Sequence, residues 1–289
     1  MFAITTHSDQ YLTYTLTDHE HLARLEVVPE RGGIVTRWTL QGQDLLYLDQ
    51  ERFQDPNLSI RGGIPILFPI CGNLPGDRYN HPQQTYHLKQ HGFARDLPWQ
   101  VIDQTTDVCA SLTLRLASNE ITRANYPFDF EVLFTYQLQG NSLKIQQRYT
   151  NHSDEIMPFS TGLHPYFWIK DKSQLRFDIP ATMYQDQKRL AVFPFEDRFD
   201  FEQPEIDAVF KAIKRHSASF TDPERSLTLS LKYSDQYSTV VFWTLQGKDY
   251  ICLEPWTAPR NALNTGEKLI KLEPEQSLDT IVELTAELF

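Results

Sequence analysis

A histidine and a glutamate are the residues of this sequence best suited to moving protons. His164 lies in Pro158-Phe159-Ser160-Thr161-Gly162-Leu163-His164-Pro165-Tyr166-Phe167-Trp168. Pro165 fixes its own φ and biases His164 toward extended geometry, so the imidazole sits on a stiffened backbone. Gly162 lets the chain or a ligand approach closely. Tyr166, Phe167 and Trp168 can wall an apolar pocket or offer a face to a sugar ring. The alternative is a core histidine at the end of an aromatic-rich strand. Glu254 follows the apolar run Tyr250-Ile251-Cys252-Leu253 and precedes Pro255-Trp256. A carboxylate at the end of a buried strand, beside a tryptophan, is partly desolvated, which raises its pKa and makes it a better base.

Other polar residues carry weaker signals. His91 falls in Lys89-Gln90-His91-Gly92-Phe93-Ala94-Arg95-Asp96, and Arg61 precedes Gly62-Gly63, where its guanidinium can reach over a flat backbone to a ligand oxygen. A surface pairing with a carboxylate would serve Arg61 equally well. His81, His87 and His91 have metal-ligand spacing only if a helix face is shared, and Pro82 and Gly92 argue against that, so no metal is expected. Ser160 lacks a GxSxG elbow. Cys71, Cys109 and Cys252 sit in apolar runs where inert core thiols are usual. Asp207, in Pro204-Glu205-Ile206-Asp207-Ala208-Val209-Phe210, reads as an acid capping a short helix over Asp207 to Ile213.

These residues must be held by strands. Alternating patterns mark Tyr11 to Leu16, Leu22 to Val28, Ile34 to Leu40, Ala110 to Leu116, Leu175 to Ile179, Leu227 to Tyr233, Thr239 to Thr244, Tyr250 to Leu253 and Thr280 to Leu284. Val132 to Leu138 and Leu143 to Tyr149 flank Gln139-Gly140-Asn141-Ser142 and read as a hairpin. Many short strands with turn signals and few helices imply an all-β antiparallel sandwich, expected to be one domain over residues 1–289. The segment Asp55 to Pro98, rich in Gly, Pro, Asn and His, is too long for a hairpin loop. Connections of that length are usually functional.

The chain has 289 residues, 40% hydrophobic and 12% aromatic, ample for a large core. Its net charge of −11 argues against nucleic acid or a membrane surface as partner, because phosphate neutralisation needs basic patches. The three cysteines, odd in number and without CxxC, suit a reducing compartment. The N-terminus has neither a basic nor an apolar leader region, and no stretch approaches a membrane span. A soluble cytoplasmic protein, monomer or weak homodimer, is the expectation.

Four stretches together resemble the aldose 1-epimerase (galactose mutarotase-like) family: Arg61-Gly62-Gly63-Ile64-Pro65-Ile66-Leu67-Phe68-Pro69, Gln90-His91-Gly92-Phe93-Ala94-Arg95, Gly162-Leu163-His164-Pro165-Tyr166-Phe167 and Leu253-Glu254-Pro255-Trp256. They run in the family's order over nearly the whole chain. The resemblance implies a large antiparallel β-sandwich with an open cleft, no cofactor, and interconversion of aldose anomers. It places the general acid on His164, the general base on Glu254, a second sugar-contacting histidine on His91, and substrate-binding positions on Arg61 and Asp207. The Arg-Gly-Gly-Ile-Pro and His-Gly-Phe-Ala-Arg stretches look like the branch that includes hexose-6-phosphate mutarotases. There Arg61 and Arg95, with Arg78 and Lys89 nearby, become candidates for a sugar phosphate, and Trp168 or Trp256 for the sugar's apolar face.

The chemistry is self-contained. A base takes the proton of the C1 hydroxyl, an acid protonates the ring oxygen, the ring opens, C1–C2 rotates, and the ring closes on its other face. The rival expectation is a non-catalytic carbohydrate-binding protein on the same sandwich, which needs no matched acid and base. A glycoside hydrolase would require a second carboxylate facing Glu254.

Overall fold

The computed structural model describes residues 1–289. Two eight-stranded antiparallel sheets pack face to face, and a five-stranded meander of the first residues, ending at Gln43–Asp44, joins them. One large sheet runs Arg176–Asp178, Ser217–Asp222, Leu227–Tyr233, Ser277–Leu288, Ser142–Asn151, Phe130–Gln139, Ala110–Ala117 and Gln100–Thr105. The hairpin in it turns through Gly140-Asn141, with Gln139 opposite Ser142 and Gly140 at φ 60°. The sheets meet through aromatic rings, Phe167 against Phe220 at 5.2 Å and Phe177 against Phe242 at 5.1 Å. No helix is long and apolar enough to cross a membrane.

The second large sheet carries the site. Its path is Ala191–Pro194, Met183–Asp186, Glu205–Phe210, Thr239–Leu245, Tyr250–Trp256, Gly162–Leu163 and Ile66–Leu67, and Tyr166–Trp168 also pairs with Tyr250–Trp256. Side chains alternate between the two faces of a strand. Ile206, Ala208, Phe210, Val240, Phe242, Ile251 and Leu253 therefore join the main core. Asp207, Trp243 and Glu254 project from the opposite face. The register sets Asp207 beside Trp243 and Trp243 beside Cys252, one pleat along from Glu254.

The helix expected at Asp207 to Ile213 is a strand, Glu205–Phe210. Polar and apolar residues alternate through Glu205-Ile206-Asp207-Ala208-Val209-Phe210, and the strand is paired along its whole length with Thr239–Leu245. Asp207 thus projects from the middle of a strand rather than capping a helix. The long segment from Asp55 to Pro98 is not structureless either. It contributes Ile66–Leu67 to the sheet and a small hairpin of Arg78–Asn80 with Thr85–His87, and it folds back on itself where Gly92 bridges Phe68.

Candidate active site

Two of the segments are stitched together by backbone bonds before any side chain acts. His164 N donates to Pro65 O at 3.1 Å and Tyr166 N to Gly63 O at 2.9 Å, so the Arg-Gly-Gly-Ile-Pro run lies alongside the histidine strand. Gly162 faces Trp256: a Cβ there would stand 2.8 Å from the indole Cδ1 and 2.9 Å from Pro255 O. Only a glycine lets these two strands come so close.

Over this floor lies a cavity of about 430 Å³, within the usual range of roughly 300–1,000 Å³ for small-molecule sites. His164 and Glu254 sit at its base, buried, with His164 Nε2 3.4 Å from Glu254 Oε1. Tyr166 stacks flat on the imidazole at 4.7 Å, and Trp243 and His91 close on it edge to face. The other Glu254 oxygen accepts a hydrogen bond from Trp256 Nε1 at 3.0 Å. Burial drives the Glu254 carboxyl well above the usual carboxylate range, against the pull of Arg260. Burial, helped by the Arg95 charge, lowers His164 to about 3. Both shifts favour the uncharged pair, a protonated Glu254 beside a neutral His164, so the two groups share one proton.

His91 is built differently. Its Nδ1 accepts the Gly72 N–H at 3.1 Å, which leaves Nε2 as the protonated nitrogen. Burial holds its pKa well below the usual value. His91 therefore carries a neutral imidazole with its Nε2–H free to donate.

Two of the remaining cations are paired with carboxylates. Arg260 Nη2 donates to both oxygens of Asp207, at 3.0 and 2.9 Å. Lys188 pairs with Glu205 at 2.6 Å, and Trp243 Nε1 donates to the same carboxylate at 2.9 Å. Arg61 and Arg95 line the cavity with no carboxylate within 4 Å. Arg95 Nη2 donates to Gln90 O at 2.8 Å, while its Nε is buried without a partner. The Arg61 guanidinium lies 6.0 Å from the Trp243 ring.

The structure thus gathers His164, Glu254, His91, Arg61, Arg95, Asp207 and Trp256 around one cavity. Trp168 lies elsewhere. It pairs with Tyr250, at the far end of the strand from Glu254, and its ring is covered by Arg225 at 4.8 Å. It lines a separate, larger cavity of about 800 Å³ with Arg37 and Asp44, none of whose lining residues is shared with the cavity of His164 and Glu254. Arg78 and Lys89 do not line the site cavity, and Lys89 borders a different one. His81 packs edge-on against Tyr79, Tyr86 and Phe128 rather than joining His91. Arg260, Lys188, Glu205 and Trp243 are site residues without a sequence motif. Of these, Glu205 was within reach of a pattern, through the two-residue period it shares with Asp207.

His164, Cys252 and Glu254 offer ligand atoms within 4.8 Å of one another. The surroundings do not fit a cation: burial keeps the Cys252 thiol protonated, and Arg95, Arg260 and Arg61 add positive charge beside the histidine.

The sequence profile described as aldose 1-epimerase matches residues 13–285. A structure of the Slr1438 protein from Synechocystis sp. PCC 6803 is 52% identical over all of both chains, with a TM-score of 0.96. Protein LacX (chromosomal) of Lactococcus lactis is 26% identical over 72% of this chain and 78% of its own length. A Cenchrus ciliaris protein named "Putative glucose-6-phosphate 1-epimerase" is 27% identical over 88% of this chain and 79% of its own. A galactose mutarotase-like protein from Clostridium acetobutylicum, at 20% identity and TM-score 0.84, covers all of this chain and 99% of its own and shares the fold. With its sandwich, its cleft and a profile match over nearly its whole length, this chain belongs to the aldose 1-epimerase family.

Proposed function

We propose that the protein interconverts the α and β anomers of a hexose 6-phosphate, with His164 as acid and Glu254 as base. The observation that carries the phosphate is the charge pairing in the cavity. Asp207 is held by Arg260 and Glu205 by Lys188, which leaves Arg61 and Arg95 with no carboxylate within 4 Å. Arg95 is largely buried, and burying an unpaired guanidinium beside a neutral sugar is costly. A phosphate dianion offers oxygens enough for both, through charge-assisted bonds. The name of the Cenchrus ciliaris relative points to the same substrate class.

The shared proton fits the reaction. Moving it from Glu254 to His164, across the 3.4 Å contact, converts the resting pair into carboxylate and imidazolium. Glu254 then removes the C1 hydroxyl proton while His164 protonates the ring oxygen, and the C1–O5 bond breaks to give the open-chain aldehyde. At that point Glu254 is again protonated and His164 neutral. Rotation about C1–C2 and reversal of the two transfers close the ring as the other anomer. His91, a fixed neutral donor, is suited to holding a sugar oxygen in place.

The test compares kcat/KM for α-glucose 6-phosphate and α-glucose in wild type and Arg95→Ala. Loss of a hydrogen bond to a charged group, roughly 1.5–3 kcal/mol, predicts a fall of about 10- to 100-fold on the phosphorylated sugar and little change on the free one. Equal losses on both would make Arg95 structural and the substrate a free hexose.

A further inference from the structure

Behind the proton-transfer pair lies a set of contacts that the reaction itself does not use. Gly72 has φ +70°, and a Cβ there would stand 2.2 Å from Cγ of Arg260, so the glycine leaves the notch in which the arginine stem lies. Gly72 also donates its N–H to His91 Nδ1 at 3.1 Å and accepts the His91 N–H at 2.7 Å. From that seat the Arg260 guanidinium grips both Asp207 oxygens and lies 5.3 Å from the Trp256 ring. Trp256 in turn donates to Glu254. One arginine therefore touches or backs the supports of Asp207, Glu254 and His91.

We propose that Arg260 is the positioning residue of this site: seated in the Gly72 notch, it fixes Asp207 as an ionised acceptor and, by bracing Trp256, holds the Glu254 carboxyl against His164. The proposal rests on the reading of His164 and Glu254 as the acid–base pair. The groups bearing on Glu254 are His164, Asp207, Arg95, Arg260 and the Tyr166 phenol, with the Cys252 and Cys71 thiols. Among these, Arg260 is the cation that offsets Asp207. Its removal leaves Asp207 facing Glu254 uncompensated and frees the indole to move. A displacement of about 1 Å at a reacting group costs on the order of 100-fold in rate.

The experiment uses Arg260→Met and Arg260→Lys in the full chain, with melting curves as the folding control. Two quantities are read: kcat and KM for anomer interconversion, and the titration of Glu254 by ¹³C NMR on carboxyl-labelled glutamate, assigned with Glu254→Gln. Arg260→Met is expected to lose about 100-fold in kcat and to move the Glu254 midpoint to higher pH. Arg260→Lys is expected to return the midpoint toward wild type but to stay about tenfold low in kcat, because the ammonium cannot span Asp207 and the indole face. Wild-type kcat with an unmoved midpoint in Arg260→Met overturns the proposal, and so does wild-type kcat in Arg260→Lys if the methionine variant does not fold. Should the wild-type protein accelerate no sugar, the acid–base reading fails on its own. The Glu254 midpoint in the Arg260 variants then still decides whether Arg260 governs that carboxyl.

Discussion

His164 Nε2 lies 3.4 Å from Glu254 Oε1, two groups from separate motifs brought together on one face of a sheet whose other face is the main core. Their opposite pKa shifts follow from that position. Burial acts on both, raising the acid and lowering the imidazole, so the pair holds one proton where two isolated groups would titrate separately.

Replacing either member should remove turnover while leaving the fold. Glu254→Gln and His164→Asn are each expected to lower kcat by about 10²–10⁴-fold, the usual scale for one general acid or base. Because the two act as a unit, the double variant should lose less than the product of the single losses. Steady-state rates for the three variants check this, and a single variant with near-normal turnover would remove that residue from the mechanism.

The shared proton has a consequence for stability. Between the unfolded values of Glu and His, roughly pH 4.5 to 6.5, the unfolded chain carries one proton on this pair, on the histidine. The native pair also carries one, on Glu254, so the pair adds no slope of stability with pH there. In Glu254→Gln only the histidine remains. Its folded pKa is depressed to about 3, so the unfolded state binds more protons between about pH 3 and 6.5 and stability rises with pH across that window. In His164→Asn only the raised carboxyl remains, and stability falls as pH rises above about 4.5. Urea unfolding at several pH values should give difference slopes of opposite sign, at most about 1.4 kcal/mol per pH unit. Parallel curves for the two variants would mean that burial does not shift the two groups in opposite directions.

Gly162→Ala tests the close approach of the histidine strand and the Glu254 strand. The added methyl meets the Trp256 indole at 2.8 Å and Pro255 O at 2.9 Å, and the backbone oxygen cannot swing away. Overpacking of this kind costs about 1–3 kcal/mol, and the shifted indole should carry Glu254 with it. A lowered melting temperature with more than tenfold loss of kcat is expected; a silent substitution would mean the strands can separate without harm.

Much of this architecture was legible in the chain. Leu227–Tyr233 has the bounds that apolar alternation predicts, because it buries alternate residues against a core, and Ile34–Leu40 also has the expected bounds although every residue but Arg37 is buried. The strand Phe2–Ser8 did not stand out, since its side chains are half-buried to exposed and carry no alternating burial. Asp207 was misplaced because six residues of mixed polarity after a proline suit a helix start as well as a strand. The difference is made by pairing with Thr239–Leu245, which is non-local. Trp168 follows the histidine closely in sequence, but its strand runs away from the cavity. Arg260 had no signal at all. Its importance comes from Asp207 and Gly72, both distant along the chain.

If the ligand is anionic, salt should matter. Raising ionic strength from about 0.01 to 0.15 M shortens the screening length from roughly 30 to 8 Å, so kcat/KM for the phosphorylated sugar should fall while that for the free hexose stays flat. The same titration on Arg61→Ala, whose guanidinium is exposed at the cavity mouth, should show a shallower dependence. Identical salt curves for both sugars in wild type would argue against long-range attraction of a phosphate.

The most direct measurement is two-dimensional exchange NMR on C1-labelled glucose 6-phosphate and glucose, each at anomeric equilibrium, with and without enzyme. The account predicts α–β exchange cross-peaks that build up with added wild-type protein, faster for the phosphorylated sugar, and that vanish in Glu254→Gln. Absence of accelerated exchange on either sugar, at concentrations where binding is detected, would contradict it and leave the site a sugar-binding one.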